Sequence, residues 1–350
     1  MPLGRLAKPA TPQWPWAAIR HGRGQRPDQR CSLRPGGWAT ATLHSVLRTA
    51  HWDDWSLDDL LAAKGETRVS LVVPARNEAA TVGDVVTRVR SALVDTVALL
   101  DEVVVIDSDS TDATYDVATD AGAVVHRSSE IRPDLGSVGG KGEAMWKSLF
   151  VTTGDVIVFM DADLLDWDTH FVPGLLGPLL TVPDVALVKG FYERPLLAGE
   201  GGPLDGGRVT ELVARPVLAL EYPELAGVVQ PLAGEWAVRR SLFETLWVPT
   251  GYAVELAALI DTLAARGPDA IAQVDLGRRA HAHQELLDLG AMATQILAAV
   301  AKRRAGVEAH ALTTEGDQVV QLRQYRSEEG VIVPIERVVH VGERPPAVSA

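Results

Sequence analysis

Apolar positions along the chain fall into short continuous runs, separated by stretches of helical period and by turns rich in Gly, Ser and Asp. Val69-Ser70-Leu71-Val72-Val73-Pro74 reads as a buried strand, followed by a helix from about Ala79 to Leu93. Glu102-Val-Val-Val-Ile106 is a second strand and ends in Asp107-Ser-Asp-Ser-Thr-Asp112, whose side chains suit the cap of a following helix. Val124-Val125 is a short third strand. Val156-Ile-Val-Phe-Met160 is a fourth and runs into Asp161-Ala162-Asp163, and Ala186 to Gly190 is a fifth. Alternation of buried strand, turn and helix predicts a mostly parallel α/β sheet, with functional residues at the strands' carboxyl ends.

After Gly190 the pattern changes. A Gly-rich loop from Gly199 to Gly207 precedes helices over about Val209 to Leu220 and Ala253 to Arg266. Leu286, Leu289, Ile296 and Val300 then recur at helical spacing, which predicts an amphipathic helix that packs on the body or on a second subunit. Beyond Gly306 the pattern is weak and partly β-like, at Val331-Ile-Val333 and Val338-Val339.

The expected organisation follows. Residues 1–51 form a basic tail with Arg5, Lys8, Arg20, Arg23, Arg26, Arg30, Arg34 and Arg48 and no sustained apolar period, expected to be disordered. Residues 52–280 form the main α/β domain, with one half over about 69–190 and a second over 191–280. Residues 281–306 carry a His segment and the amphipathic helix, and 307–350 are expected to be weakly ordered. Ser56 is placed as the cap of a short helix whose apolar side packs on the body.

Overall charge narrows the chemistry. The net charge of −13 has the wrong sign for a protein held on nucleic acid or anionic lipid by its whole field, so an anionic ligand must meet a local cationic pocket. Cys31 is the single cysteine, which excludes an internal disulfide and a multi-thiolate zinc site and points to a reducing compartment, the cytoplasm. The longest apolar run, around Leu289 to Ala301, is too short to span a bilayer, and a secretory leader is not expected.

Asp161-Ala162-Asp163 places two hard oxygen donors on a tight turn behind a buried strand. Mg²⁺ or Mn²⁺ bridging a diphosphate suits such a pair, because these ions take one or two carboxylates and leave other positions to phosphate and water. An acidic helix-capping loop is the alternative. In Arg279-Ala280-His281-Ala282-His283 an extended backbone would point Arg279, His281 and His283 the same way, offering a further metal ligand and a cation for a diphosphate. Gly139-Gly140-Lys141-Gly142 before a helix fits a phosphate cradle and equally a flexible capped turn; it lacks the P-loop spacing. Asp205-Gly206-Gly207-Arg208-Val209-Thr210 offers glycine amides, a guanidinium and a hydroxyl at a helix start, suited to a phosphomonoester or to a capped Gly-rich loop. No Gly-x-Gly-x-x-Gly follows the first strand, which argues against a dinucleotide site.

Taken together, Val-Val-Pro-Ala-Arg-Asn-Glu78, Ile-Asp-Ser108-Asp-Ser-Thr-Asp, Gly-Lys141-Gly-Glu-Ala-Met-Trp, Met-Asp161-Ala-Asp163-Leu, Gly-Gly-Arg208-Val-Thr210-Glu-Leu and Arg279-Ala-His281, in this order, resemble the glucosyl-3-phosphoglycerate synthases, retaining GT-A glycosyltransferases of actinobacteria. The resemblance runs from about Trp52 to Arg304. It implies a GT-A, Rossmann-like fold with a helical C-terminal extension, a divalent metal (Mg²⁺ or Mn²⁺), UDP-glucose as donor, D-3-phosphoglycerate as acceptor and a homodimer through the C-terminal helices. It also implies the first step of glucosylglycerate and methylglucose polysaccharide synthesis.

By the same resemblance, Pro74, Ala75, Arg76, Glu78 and Ser108 hold the uridine and Lys141 reaches the diphosphate. Asp161 and Asp163 bind donor and metal, with His281 as a further metal ligand and Arg279 on the diphosphate side. Gly207, Arg208 and Thr210 hold the acceptor phosphate, and Leu232, Tyr252 and Glu255 line the glucose pocket. The alternatives are a GT-A transferase of other specificity, such as a mannosyl-3-phosphoglycerate synthase or a polyprenyl-phosphate sugar transferase, and a non-catalytic nucleotide-sugar-binding protein.

Overall fold

The computed structural model describes residues 47–193, 207–279, 285–306, 318–328 and 330–350. In chain order the strands are β1 (Arg48–His51), β2 (Val69–Ala75), β3 (Glu102–Asp107), β4 (Val124–Arg127), β5 (Val156–Phe159), β6 (Leu187–Glu193), β7 (Trp236–Arg239), β8 (Val248–Pro249), β9 (Ile271–Arg278), β10 (Val319–Glu328), β11 (Val331–His340) and β12 (Glu343–Arg344). The helices are α1 (Leu57–Lys64), α2 (Val82–Arg90), α3 (Thr114–Asp120), α4 (Lys141–Ser148), α5 (Phe171–Thr181), α6 (Arg215–Glu221), α7 (Arg240–Phe243), α8 (Val254–Arg266) and α9 (Leu286–Ala305).

Eight strands make one sheet in the order β1-β9-β6-β7-β5-β2-β3-β4. All neighbours run parallel except β7, which is antiparallel to both β5 and β6. The apolar runs that predicted strands alternate between two cores. Leu71, Val73, Val103, Val105 and Val158 enter one core beside α2 and α5, while Val72, Val104, Ile106, Ile157 and Phe159 enter the other beside α4 and α8. Helices cover both faces, as a parallel sheet requires, and this explains why its strands read as unbroken apolar runs.

Two expected boundaries are corrected. The tail was expected to extend through His51, yet Leu47 is buried and β1 pairs in register with Ala272–Asp275 of β9. Four residues are too short for an alternating signal, and their order comes from the long-range ladder. The expectation of weak order over 307–350 is also corrected for its described part: β10 and β11 pair along their whole length, and β12 pairs with β8. Most residues of this hairpin are exposed and its apolar residues are not confined to one face, so the sequence reads only partly as strand. Ser56 does cap α1, accepting from the Asp59 amide at 3.1 Å. Among the described residues no helix is long and apolar enough to cross a membrane.

Candidate active site

The carboxyl ends of β2, β3 and β5 and the start of α4 surround a cavity of about 360 Å³. Pro74, Ala75, Arg76, Glu78, Ser108, Lys141, Asp161, Asp163 and Tyr252 line it, together with Gly139, Gly140, Ala162, Gly251 and Gln295. The loop after β2 is fixed by its neighbour. Asn77 adopts a positive φ of 58°, its Oδ1 accepts from the Thr111 amide at 2.9 Å, and its own amide donates to Ser110 Oγ at 2.9 Å. The amide of Glu78 donates to Thr114 Oγ1 at 2.8 Å, so two loops that carry candidate nucleoside contacts form one unit.

Glycines in the Gly139–Gly142 run serve close packing. A Cβ on Gly140 would lie 2.2 Å from the Thr250 carbonyl oxygen, and one on Gly142 would lie 1.8 Å from that of Pro249. The Glu143 amide donates to Thr250 O at 2.9 Å, which docks the start of α4 on the 249–251 turn and carries Lys141 into the cavity. Gly234 has the same role beneath Asp161, whose carboxylate would be 2.2 Å from an added Cβ.

Two cations organise the carboxylates. Lys141 Nζ lies 2.5 Å from Asp161 Oδ1 and 2.7 Å from Glu255 Oε1. Arg279 Nη2 lies 3.1 Å from both Asp161 Oδ2 and Asp163 Oδ1. On its other side, Arg279 Nη1 donates to Glu235 Oε2 at 2.8 Å and to Tyr192 Oη at 2.6 Å, and Tyr192 donates to the same Glu235 oxygen at 2.7 Å. Burial alone would raise Asp161, but Lys141 and Arg279 overcome it and hold its carboxyl well below the usual range. For Asp163, burial and the neighbouring Asp161 charge push the carboxyl up against the pull of Arg279. Lys141 is raised despite its burial, because Asp161 and Glu255 both face it.

Four carboxylates, Asp161, Asp163, Glu235 and Glu255, thus face two fixed cations, Lys141 and Arg279. The hard oxygens of Asp161 and Asp163 and the uncompensated negative charge fit a divalent Mg²⁺ or Mn²⁺, which completes its shell with phosphate and water. Among the described residues no three His, Cys, Asp or Glu converge as a full ligand set. His281, the expected third ligand, lies outside the described residues.

Gly207, Arg208 and Thr210 lie apart from the cavity lining, at the start of the helical turn that leads into α6; Gly207 has a φ of 94° and Thr210 is buried. Leu232 also falls outside the lining and packs against the core beside α8. Sequence reasoning missed Glu235 and Tyr192, the partners of Arg279, and also Gln295. A carboxylate in a run that otherwise reads as buried strand, Gly234-Glu235-Trp236-Ala237-Val238, was the available signal for Glu235. For Gln295 there was none.

Lys189 also stands out. It is buried on β6, its Nζ donates to Ala233 O at 2.5 Å, and burial pushes its ammonium from 10.5 down to about 7, with Glu255 and Glu235 opposing. Between pH 7 and 10.5 the unfolded chain binds a proton here that the folded chain does not, so stability should rise with pH by about 1.4 kcal/mol per unit from this group. Lys189→Met should flatten that rise in denaturant midpoints measured from pH 7 to 9; an unchanged slope would contradict the assignment.

Comparison with known proteins agrees with this geometry. The glycosyl transferase family 2 model matches residues 70–196. The chain is 44% identical over 306 residues to glucosyl-3-phosphoglycerate synthase of Mycolicibacterium smegmatis, covering 87% of this chain and 97% of the relative. The chain belongs to the glucosyl-3-phosphoglycerate synthases. Solved structures of the Mycobacterium tuberculosis synthase superpose with a TM-score of 0.74 at 41% identity, covering 87% of this chain and 99% of that one; one holds Mn²⁺ and UDP-glucose, another Mn²⁺, UDP and glucosyl-3-phosphoglycerate. The GT-A expectation therefore holds, with the antiparallel β7 inserted in an otherwise parallel sheet.

Proposed function

We propose that this chain transfers glucose from UDP-glucose to the hydroxyl of D-3-phosphoglycerate, with retention at the anomeric carbon. The observation that carries this reading is the cavity lined by Lys141, Asp161 and Asp163, with Lys141 on Asp161 and the buried Arg279 bridging both aspartates from behind the lining. The solved complexes of the M. tuberculosis relative support the choice of substrates.

Pro74, Ala75, Arg76, Glu78 and Ser108 receive the nucleoside, and Lys141 orients the diphosphate. Asp161 and Asp163 would hold the divalent ion, with His281 as a further ligand. When bound, that ion supplies charge neutralisation at the leaving diphosphate. Tyr252 and Glu255 face the glucose, with Leu232 nearby, and Arg279 fixes both aspartates while adding positive charge. As the anomeric C–O bond to the β-phosphate breaks, the acceptor oxygen bonds to the anomeric carbon from the same face. Its proton passes to the departing phosphate oxygen, so the step is balanced without a carboxylate base.

Gly207, Arg208 and Thr210 hold the acceptor phosphate. Arg208→Ala should raise the 3-phosphoglycerate KM about tenfold or more, the worth of a charge-assisted hydrogen bond, and leave the UDP-glucose KM within about twofold. Equal shifts in both would remove Arg208 from the acceptor site. The cytoplasm is the proposed compartment, from the lone Cys31 and the phosphorylated substrates. A homodimer through the C-terminal helix is proposed from Leu286 and Leu297, about three turns apart and exposed on α9. Release of UDP from UDP-glucose, followed with 3-phosphoglycerate, 2-phosphoglycerate or no acceptor and with or without Mg²⁺, tests the function. Turnover is expected only with the 3-phospho acceptor and metal; UDP release that ignores the acceptor would overturn it.

A further inference from the structure

The run His340–Arg344 ties successive residues to α9, to the turn at Thr250 and to α4, elements that stand around the cavity. The His340 carbonyl accepts from Gln295 Nε2 at 3.0 Å and that of Val341 from Lys302 Nζ at 2.6 Å, both donors on α9. The Gly342 carbonyl accepts from the Thr250 amide at 3.0 Å. Glu343 pairs with Arg303 at 2.9 Å, and Arg344 forks the buried Glu143 carboxylate of α4 with two contacts of 2.6 Å. Gln295 is the member of this network that also lines the cavity.

Both ends of the Gln295 amide are engaged. Its Oε1 accepts from the Tyr252 amide at 3.0 Å while its Nε2 donates to His340 O, and only this orientation satisfies both partners. The amide also lies against the bare Cα of Gly251, where an added Cβ would stand 2.4 Å away. The next residue, Ile296, is fully buried, and Ala299 and Val300 are buried, so Gln295 projects from an anchored part of α9. Tyr252, by contrast, is 47% exposed. Where it stands therefore depends on the turn that carries it, and the Gln295 contact to its amide holds that turn.

We propose that Gln295 is a positioning residue for the glucose side of the donor pocket, holding the Gly251–Tyr252 turn in place and braced from behind by the C-terminal hairpin. The inference rests on the reading of Tyr252 and Glu255 as the glucose wall. It separates the two ends of the donor: Gln295 bonds only to Tyr252 and His340 among the described residues, while Thr250, which docks α4 and Lys141, keeps its own bonds to the Gly342 carbonyl and the Glu143 amide.

Gln295→Met keeps the length and volume of the side chain and removes both hydrogen bonds. Calorimetric titration with UDP-glucose and with UDP, each with Mn²⁺, tests the proposal. UDP-glucose should bind about five- to tenfold more weakly, as loss of one net hydrogen bond allows, and UDP should stay within about twofold. Hydrogen–deuterium exchange should accelerate in the peptide holding Gly251 and Tyr252 and stay unchanged over Val69–Ala75. Unchanged UDP-glucose affinity, or an equal loss for UDP, overturns the proposal, as does unchanged exchange at Tyr252. Binding needs no turnover, so a failure of the parent chain to transfer glucose would count against the proposed function alone.

Discussion

Lys141→Met should lower kcat/KM for UDP-glucose by about a hundred- to a thousandfold, the scale of losing one preorganised charge in a site that excludes water. Lys141 Nζ is held between Asp161 at 2.5 Å and Glu255 at 2.7 Å, and Glu255 is buried. Removing the cation therefore also leaves a buried carboxylate without its lysine, which should cost about 3 kcal/mol of folding stability. The two effects can be separated. Lys141→Met combined with Glu255→Gln should recover most of the stability in denaturant titrations and none of the activity. Recovery of turnover in the double variant would mean that Lys141 acts through the fold and not on the diphosphate.

Asp163→Ala should abolish metal-dependent turnover with little change in stability. Its side chain is 44% exposed and, among the described residues, makes one ion pair, to Arg279 at 3.1 Å, so the core loses little. Its carboxyl, at the mouth of the site, is pushed up by partial desolvation and by the neighbouring Asp161 charge, which suits an acid that shares a cation. In the presence of UDP, Mn²⁺ affinity measured by electron paramagnetic resonance should fall by on the order of a hundredfold or more, beyond the loss typical of a supporting residue. An affinity within about threefold of the parent would take Asp163 out of the metal site.

The donor half of this site was legible because its signals are local. An unbroken apolar run ending in Asp161-Ala-Asp163 reports both a buried strand and the carboxylates at its mouth, whereas Pro74, Ala75, Arg76, Glu78 and Ser108, which also line the cavity, were singled out by the family resemblance. The Gly139–Gly142 run was only half legible. Lys141 does enter the cavity, but Gly140 and Gly142 answer to carbonyls of Thr250 and Pro249, more than a hundred residues away, and no local pattern encodes that approach. The partners of Arg279 were missed for the same reason: Tyr192 and Glu235 meet it only once β6, β7 and β9 are aligned in the sheet.

The C-terminal region shows the limit of periodicity. On β11 exposed and partly buried positions alternate and Val339 is buried, yet the inward row includes Arg337 and the outward row Ile332 and Val338, so the alternation carries no clean apolar signature, although the ladder is ten residues long. Arg344, close to the chain end, looks like surface charge in the sequence and yet forks the buried Glu143 beside the cavity. Long-range ion pairs of this kind are set by tertiary placement alone.

NMR of the product formed from UDP-glucose and D-3-phosphoglycerate with Mg²⁺ decides whether the chain is a retaining glucosyltransferase. A single glucosyl-3-phosphoglycerate is expected, whose anomeric proton shows the small coupling of an α-linkage, matching the configuration of the donor. A β-linked product, or glucose and UDP released with the acceptor unchanged, would contradict it.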